Sequence, residues 1–191
     1  MNIVLFGAPG AGKGAQAERI ASLHGMVHLS TGEMLRSAIA SGSDLGVRAK
    51  EIIDRGELIC DDIIARIVDT RIDEDDCLKG VILDGFPRTV AQAKALDEML
   101  AAKGRTLDCV IEIEVDEVAL FARIENRASE RRRTGTARSD DSAEILRRRL
   151  AIYRESSAPL LPYYRAKGLL KSVDGMVSIE RVATQIDNLL R

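Results

Sequence analysis

Seven residues near the amino end, Gly7-Ala8-Pro9-Gly10-Ala11-Gly12-Lys13, restrict what this chain can become more than any other stretch. They follow Asn2-Ile3-Val4-Leu5-Phe6, a nearly all-apolar run of the kind that forms a strand buried on both faces. Glycine tolerates positive φ and lets an anion come close to the backbone, so the N–H groups of such a loop can turn inward around a phosphate. Lys13 adds a point charge. From Lys13 onward the pattern predicts a helix, with Ala17, Ile20 and Ala21 on one stripe and Gly25 as its stop. The loop would then lie at a helix N-terminus, where the dipole favours an anion. Strand, glycine loop, lysine and helix together are the setting that a phosphate-binding loop requires. Its general pattern places Ser or Thr after the lysine; Gly14 stands there instead, which argues that Mg2+ is not held directly by this loop.

A chain of 191 residues with 46% hydrophobic content can bury a substantial core as one domain with small inserts. No apolar run approaches the roughly 20 residues of a membrane span. The first strand begins without a charged leader ahead of it, so a cytoplasmic location, without membrane attachment, is the expectation. Cys60, Cys77 and Cys109 are widely spaced and form no Cys-x-x-Cys pair, which suggests reduced packing residues. A net charge of -2 argues against a general nucleic-acid binder. The charge is unevenly placed, however. Between Arg123 and Arg149 stand nine arginines, no lysine and five acids. Arginine used to the exclusion of lysine points to forked, planar recognition of phosphate oxygens.

Along the chain, Met26 to Leu29 is a brief candidate strand, and Ser30 with Glu33 makes a capping box for a helix. From Ser30 to about Ile59 the segment reads as helical and strandless, a small insert hung off a sheet. Asp61 and Asp62 open a further helix. Val81-Ile82-Leu83 is a second buried strand with Asp84 at its carboxyl end, the edge where open parallel sheets bind ligands, so Asp84 is a candidate to orient Mg2+ through water. A turn role for Asp84 before Gly85 is the alternative. A helix from Thr89 to about Ala102 places Gln92 one turn in, near Arg88. Val110 to Ile113 reads as the next strand. Asn126 to about Ala137 is polar, arginine-rich and without periodicity, which predicts a loop that either is solvated surface or acts as a lid. In the helix from Asp140 to about Ser156, Leu146, Arg149, Leu150 and Tyr153 share a face, while Arg147 and Arg148 point elsewhere. An arginine on an apolar stripe needs an anionic partner, which favours Arg149 as a ligand residue. Leu169 to Val173 is a final strand, and Ser178 to Leu190 a closing amphipathic helix. Strands alternating with helices predict a three-layer α/β fold around a parallel sheet.

Taken together, Gly7 to Gly14, Ser30-Thr31-Gly32, Asp84-Gly85-Phe86-Pro87-Arg88-Thr89 with Gln92, and Arg138-Ser139-Asp140-Asp141 with Arg149 occur in the order and spacing of the adenylate kinases. The chain resembles that family over essentially its whole length. The resemblance implies a P-loop NTPase-type core (1–29, 60–125 and 137–191), a nucleoside-monophosphate insert at 30–59 and a short lid at 126–136. It implies that Gly10, Ala11, Gly12, Gly14 and Ala15 wrap the ATP phosphates with Lys13, that Arg127 clamps ATP, and that the Val177 backbone joins them. AMP would be held by Thr31, Arg36, the backbone of Glu57, Leu58 and Ile59, by Gly85, Phe86, Pro87 and Arg88, and by Gln92. Arg138 and Arg149 would bridge toward the transferred phosphate, with Arg123 assisting; with Lys13 and Arg88 these are the implied catalytic residues. Thr31 together with Gln92 looks like the AMP-selective version, unlike the UMP/CMP kinases. Ala15 stands where the family usually has threonine, and Cys60 where proline or a small polar residue is common. The implied cofactor is Mg2+ carried with ATP; a lid without cysteine implies no zinc.

Transfer to an AMP phosphate needs little covalent help, because the acceptor oxygen is already anionic; the protein must align two nucleotides and neutralise charge. One lysine, Mg2+ and many arginines suit that task, and His24 and His28 belong to none of the motifs. The expected substrates and products are ATP, AMP and ADP, the expected state a monomer. The rival readings are a kinase for UMP or CMP, a non-catalytic ATP/AMP-sensing module and, more remotely, a GTPase-like switch.

Overall fold

Of the first strand, β1 (Asn2–Phe6), all five residues are buried, as an apolar run between two helical layers demands. The computed structural model describes residues 1–42, 50, 52, 59–134 and 143–190, without the side chains of 117, 118, 124, 125, 127, 128, 130–132, 143 and 146. The phosphate-loop helix α1 (Lys13–His24) follows β1 and ends on Gly25, whose φ of 63° is the left-handed cap that glycine adopts without strain. Next come β2 (Val27–Ser30) and α2 (Thr31–Ala40), then α3 (Asp61–Ile72), a 3-10 turn (Asp75–Lys79), β3 (Val81–Asp84) and α4 (Val90–Ala102). The chain closes with β4 (Cys109–Glu114), α5 (Glu117–Thr134), α6 (Ala143–Ile152), a π turn (Tyr153–Ser157), α7 (Leu160–Ala166), β5 (Leu170–Asp174) and α8 (Ile179–Leu189).

The strands form one parallel sheet in the order β2-β3-β1-β4-β5. The α/β reading is therefore met. Alternate strand residues feed two cores. Val4, Phe6, Leu83 and Val110 pack on one face against α3, α4 and α7. Ile3, Leu5, Ile82 and Ile111 pack on the other against α1 and α8. Each fully buried side chain of this size contributes roughly 1.5–3 kcal/mol, which makes the sheet a rigid platform for whatever its carboxyl edge carries.

Three expectations change. The polar segment from Asn126, whose lack of periodicity predicts a loop, is instead helical: α5 continues through it to Thr134, and 135–137 lie outside the described residues. Arg, Glu and Ala are strong helix formers, and a helix need not show an apolar stripe. Ser30 occupies the N-cap position of α2 but its side chain makes no capping bond, because Ser30 is also the last residue of β2, paired in register with Asp84. The capping box is thus not formed. Cys77 and Cys109 are buried packing residues, and burial pushes both thiols up to about 11; Cys60 is exposed.

Candidate functional site

Three strand ends meet at one point of the carboxyl edge: Leu5 is in register with Asp84, and Asp84 with Ser30. The glycine loop leaves β1 there. Gly7, Gly10 and Gly12 have φ of 144°, 89° and 94°, so the loop curls in a path closed to other residues, and Gly12 caps α1 in the left-handed conformation. A β-carbon on Gly7 would come within 2.8 Å of the Ile113 carbonyl oxygen, which ties the loop closely to β4. Lys13 Nζ donates to the Gly7 and Ala8 carbonyl oxygens at 2.8 and 3.1 Å and so stays folded over the loop it belongs to.

A cavity of about 530 Å³ opens above this edge, lined by Gly10, Gly12, Lys13, Gly14, Ala15, Arg36, Asp84, Gly85, Pro87, Arg88, Arg123 and Arg149. A smaller one of about 110 Å³, lined by Thr31, Ile59 and Gln92 among others, shares Gly32, Arg36, Gly85, Arg88 and Arg149 with it. The shared wall is the arginine-rich one. On α6, Arg149 reaches both cavities while Arg147 and Arg148 are exposed, as the helical stripe predicts.

The positive wall is electrostatically crowded. Burial and the neighbouring Arg149 and Arg36 guanidinium groups destabilise the charge on Arg88, offset in part by Asp84. Such a cluster gains most from an incoming anion. Arg88 is nevertheless held: its Nε donates to the Gly85 carbonyl oxygen at 2.8 Å, and its own carbonyl accepts from Ser157 Oγ at 2.9 Å. The Gly85 carbonyl accepts from Thr31 Oγ1 as well, at 3.1 Å. Arg123 Nη2 donates to the Gly175 carbonyl at 2.7 Å, fastening it to the loop that leads to Val177.

Burial pushes the Asp84 carboxyl up, but His28, Lys13 and Arg88 outweigh it and hold the group below the usual carboxylate range. A β-carbon on Gly14 would lie 3.7 Å from Asp84 Oδ2, so a side chain at position 14 would fill space beside this carboxylate. One carboxylate kept anionic, next to a phosphate cradle, fits a nucleotide-borne Mg2+ that keeps most of its waters. Among the described residues there is no cluster of three metal-ligating side chains.

Not every expected residue faces the cavities. Phe86 and Ala11 are buried in the two cores, and Val177 packs half-buried against one of them. Glu57, Leu58, Arg138 and the Arg127 side chain lie outside the described residues. The structure also adds residues. His28 Nε2 is 3.5 Å from Asp84 Oδ2 on the cavity wall, and Asp61 bonds both Thr89 and Gln92. No local signal marks either, since each meets its partner only across the fold.

The adenylate kinase family matches residues 5–169 of this chain. The chain is 54% identical over 190 residues to an adenylate kinase of Parvibaculum lavamentivorans, covering all of this chain and 92% of that protein. It is 52% identical over 190 residues to one of Caulobacter vibrioides, covering 100% and 97%. With one of Sinorhizobium medicae it shares 51% over 191 residues, the full length of both.

Proposed function

The chain belongs to the adenylate kinase family and catalyses reversible transfer of the terminal phosphoryl group of ATP to AMP, and from that premise we propose how its own residues divide the task. The relatives all carry the adenylate kinase name, which leaves the UMP/CMP-kinase and sensing-module readings without support.

The observation that carries the assignment is the shared arginine wall between two cavities, one opening on the glycine loop and the other on Thr31 and Gln92. The larger cavity takes ATP. Gly10 to Ala15 wrap its phosphates, Lys13 exchanges its loop carbonyls for phosphate oxygens, and Arg127 and the Val177 backbone complete the grip. The smaller takes AMP, held by Thr31, Arg36, the 57–59 backbone, Gly85 to Arg88 and Gln92. An AMP phosphate oxygen attacks the γ-phosphorus, the bond from that phosphorus to the β–γ bridging oxygen breaks, and both nucleotides leave as ADP. Arg88, Arg123, Arg138 and Arg149 neutralise the charge that spreads over the moving group. Adenylate kinases use Mg2+ with ATP; Asp84 would hold it through water, and bound there it neutralises phosphate oxygens. The insert at 30–59 and the short lid at 126–136 belong to the same proposal, as do a monomeric state and a cytoplasmic location; no helix among the described residues is long and apolar enough to cross a membrane.

Two measurements test it. With AMP, CMP, UMP and GMP compared as acceptors, AMP should give by far the highest kcat/KM, and a pyrimidine nucleotide winning would overturn the assignment of the smaller cavity. Arg149→Ala should lower turnover by on the order of 100-fold, as expected for lost transition-state charge stabilisation, while the exposed Arg147→Ala stays close to wild type. Equal losses would mean that the helix face is misassigned.

A further inference from the structure

Asp61 stands two residues past Ile59, at the first position of α3, and accepts two hydrogen bonds from α4 and its cap. Thr89 Oγ1 donates to Asp61 Oδ2 at 2.8 Å, and Gln92 Nε2 donates to Asp61 Oδ1 at 2.7 Å. Gln92 in turn accepts from the Arg88 backbone N–H through Oε1, at 2.7 Å. We infer that Asp61 is a positioning residue which sets the orientation of the Gln92 amide and, through it, the preference for an adenine-type acceptor over a 6-oxopurine. The inference rests on the AMP assignment of the smaller cavity.

The two partners of the Gln92 amide are both one-way. A carboxylate can only accept and a backbone N–H can only donate. Turning the amide over would set carbonyl oxygen against carboxylate and NH2 against N–H, losing two hydrogen bonds and creating two repulsions at a side chain only 3% exposed. Each lost bond is worth about 1 kcal/mol and a bond to a charged group more, so one orientation dominates. In that orientation one N–H and one oxygen lone pair remain on Gln92, which lines the smaller cavity. Adenine offers the complement on its Watson–Crick edge, an acceptor at N1 beside a donor at N6. A 6-oxopurine offers a donor at N1 and an acceptor at O6, the reverse order. With the amide held by both partners, only the first edge satisfies both groups. With Asp61 removed, the Arg88 N–H alone still orients it, so turning the amide toward a 6-oxopurine costs one hydrogen bond and one repulsion fewer and the wrong edge is rejected less strongly. Hydrogen-bonding sites discriminate most strongly when the wrong ligand leaves buried polar groups unpaired.

The test compares wild type, Asp61→Ala, Gln92→Ala and the double variant, with the isosteric Asp61→Asn as the variant that keeps the test intact should alanine loosen the start of α3. KM is measured for ATP and AMP, and kcat/KM for AMP against inosine monophosphate. Asp61→Ala should raise the AMP KM and lower the AMP-over-IMP ratio each by about tenfold with the ATP KM unchanged, the asparagine variant falling between, a factor that corresponds to about 1.4 kcal/mol. On the Gln92→Ala background the same substitution should change neither, because the effect passes through Gln92. An equal effect on that background, or an ATP KM that rises with the AMP KM, would reduce Asp61 to a structural role. If Gln92→Ala loses the base preference and Asp61→Ala keeps it, this inference alone fails. If Gln92→Ala itself keeps the preference, the AMP assignment fails first and takes this with it.

Discussion

At position 85 the backbone leaves no room for a side chain. Gly85 has φ +83°, and a β-carbon there would come within 2.8 Å of Thr31 Oγ1 and 3.0 Å of Arg88 Nη2. The two residues it would push apart are the ones whose side chains bond the Gly85 carbonyl. Gly85→Ala should therefore leave a folded protein whose AMP KM rises by on the order of tenfold or more, with the ATP KM much less affected, as expected when a small displacement breaks a hydrogen-bonded site. Initial-rate kinetics with each nucleotide varied in turn checks this, and equal increases would place the damage in the sheet instead. The sequence shows that a glycine precedes Phe86-Pro87-Arg88. It does not show why, because Thr31 is 54 residues away and only the fold brings its hydroxyl to this carbonyl.

Among the strands, β4 carries an anomaly of its own. Glu112 is 8% exposed in the middle of an apolar strand, in register with Phe6 and Ser172. Burial pushes its carboxyl above the usual glutamate value, opposed in part by a hydrogen bond from Ser172 Oγ at 3.2 Å. A carboxyl raised on folding favours the folded state below the ordinary glutamate pKa and loses that contribution as pH rises through the folded value. Glu112→Gln removes the titration while keeping the shape. Its melting temperature should exceed wild type at pH 8, and the gap should close toward pH 4; a gap constant with pH would contradict the burial argument. Element types were legible wherever one periodicity dominated: apolar runs gave β1 and β3, and α4 and α8 begin one residue past their expected starts, Thr89 and Ser178, whose side chains the structure shows capping them. Legibility failed for α5 beyond Asn126, where a polar stretch has strong helix propensity but no stripe, and for the short α7 (Leu160–Ala166), too brief to show a period.

For the molecule as a whole, two cavities joined along one arginine wall mean that a ligand spanning both should bind as a unit. Two adenosines joined through a polyphosphate, at about 100 times their dissociation constant, should stabilise the protein by roughly 2.7 kcal/mol. For a chain of this size that raises the melting temperature by roughly 5–10 °C, and by more than ATP or AMP alone at the same concentration. A shift no larger than that of ATP would show that the cavities act separately. What the sequence alone determined is whatever neighbours along the chain enforce: the strand-loop-helix cradle with its glycines, the alternation that makes a parallel α/β sheet, and the Arg149 stripe. Only tertiary structure decided that Asp61 grips Gln92, that His28 stands beside Asp84, and that Arg123 is fastened to Gly175. Periodicity and backbone demands act over a few residues and leave a local mark, whereas these contacts join distant segments through the order in which strands are laid into the sheet, and nothing in either segment by itself records the other.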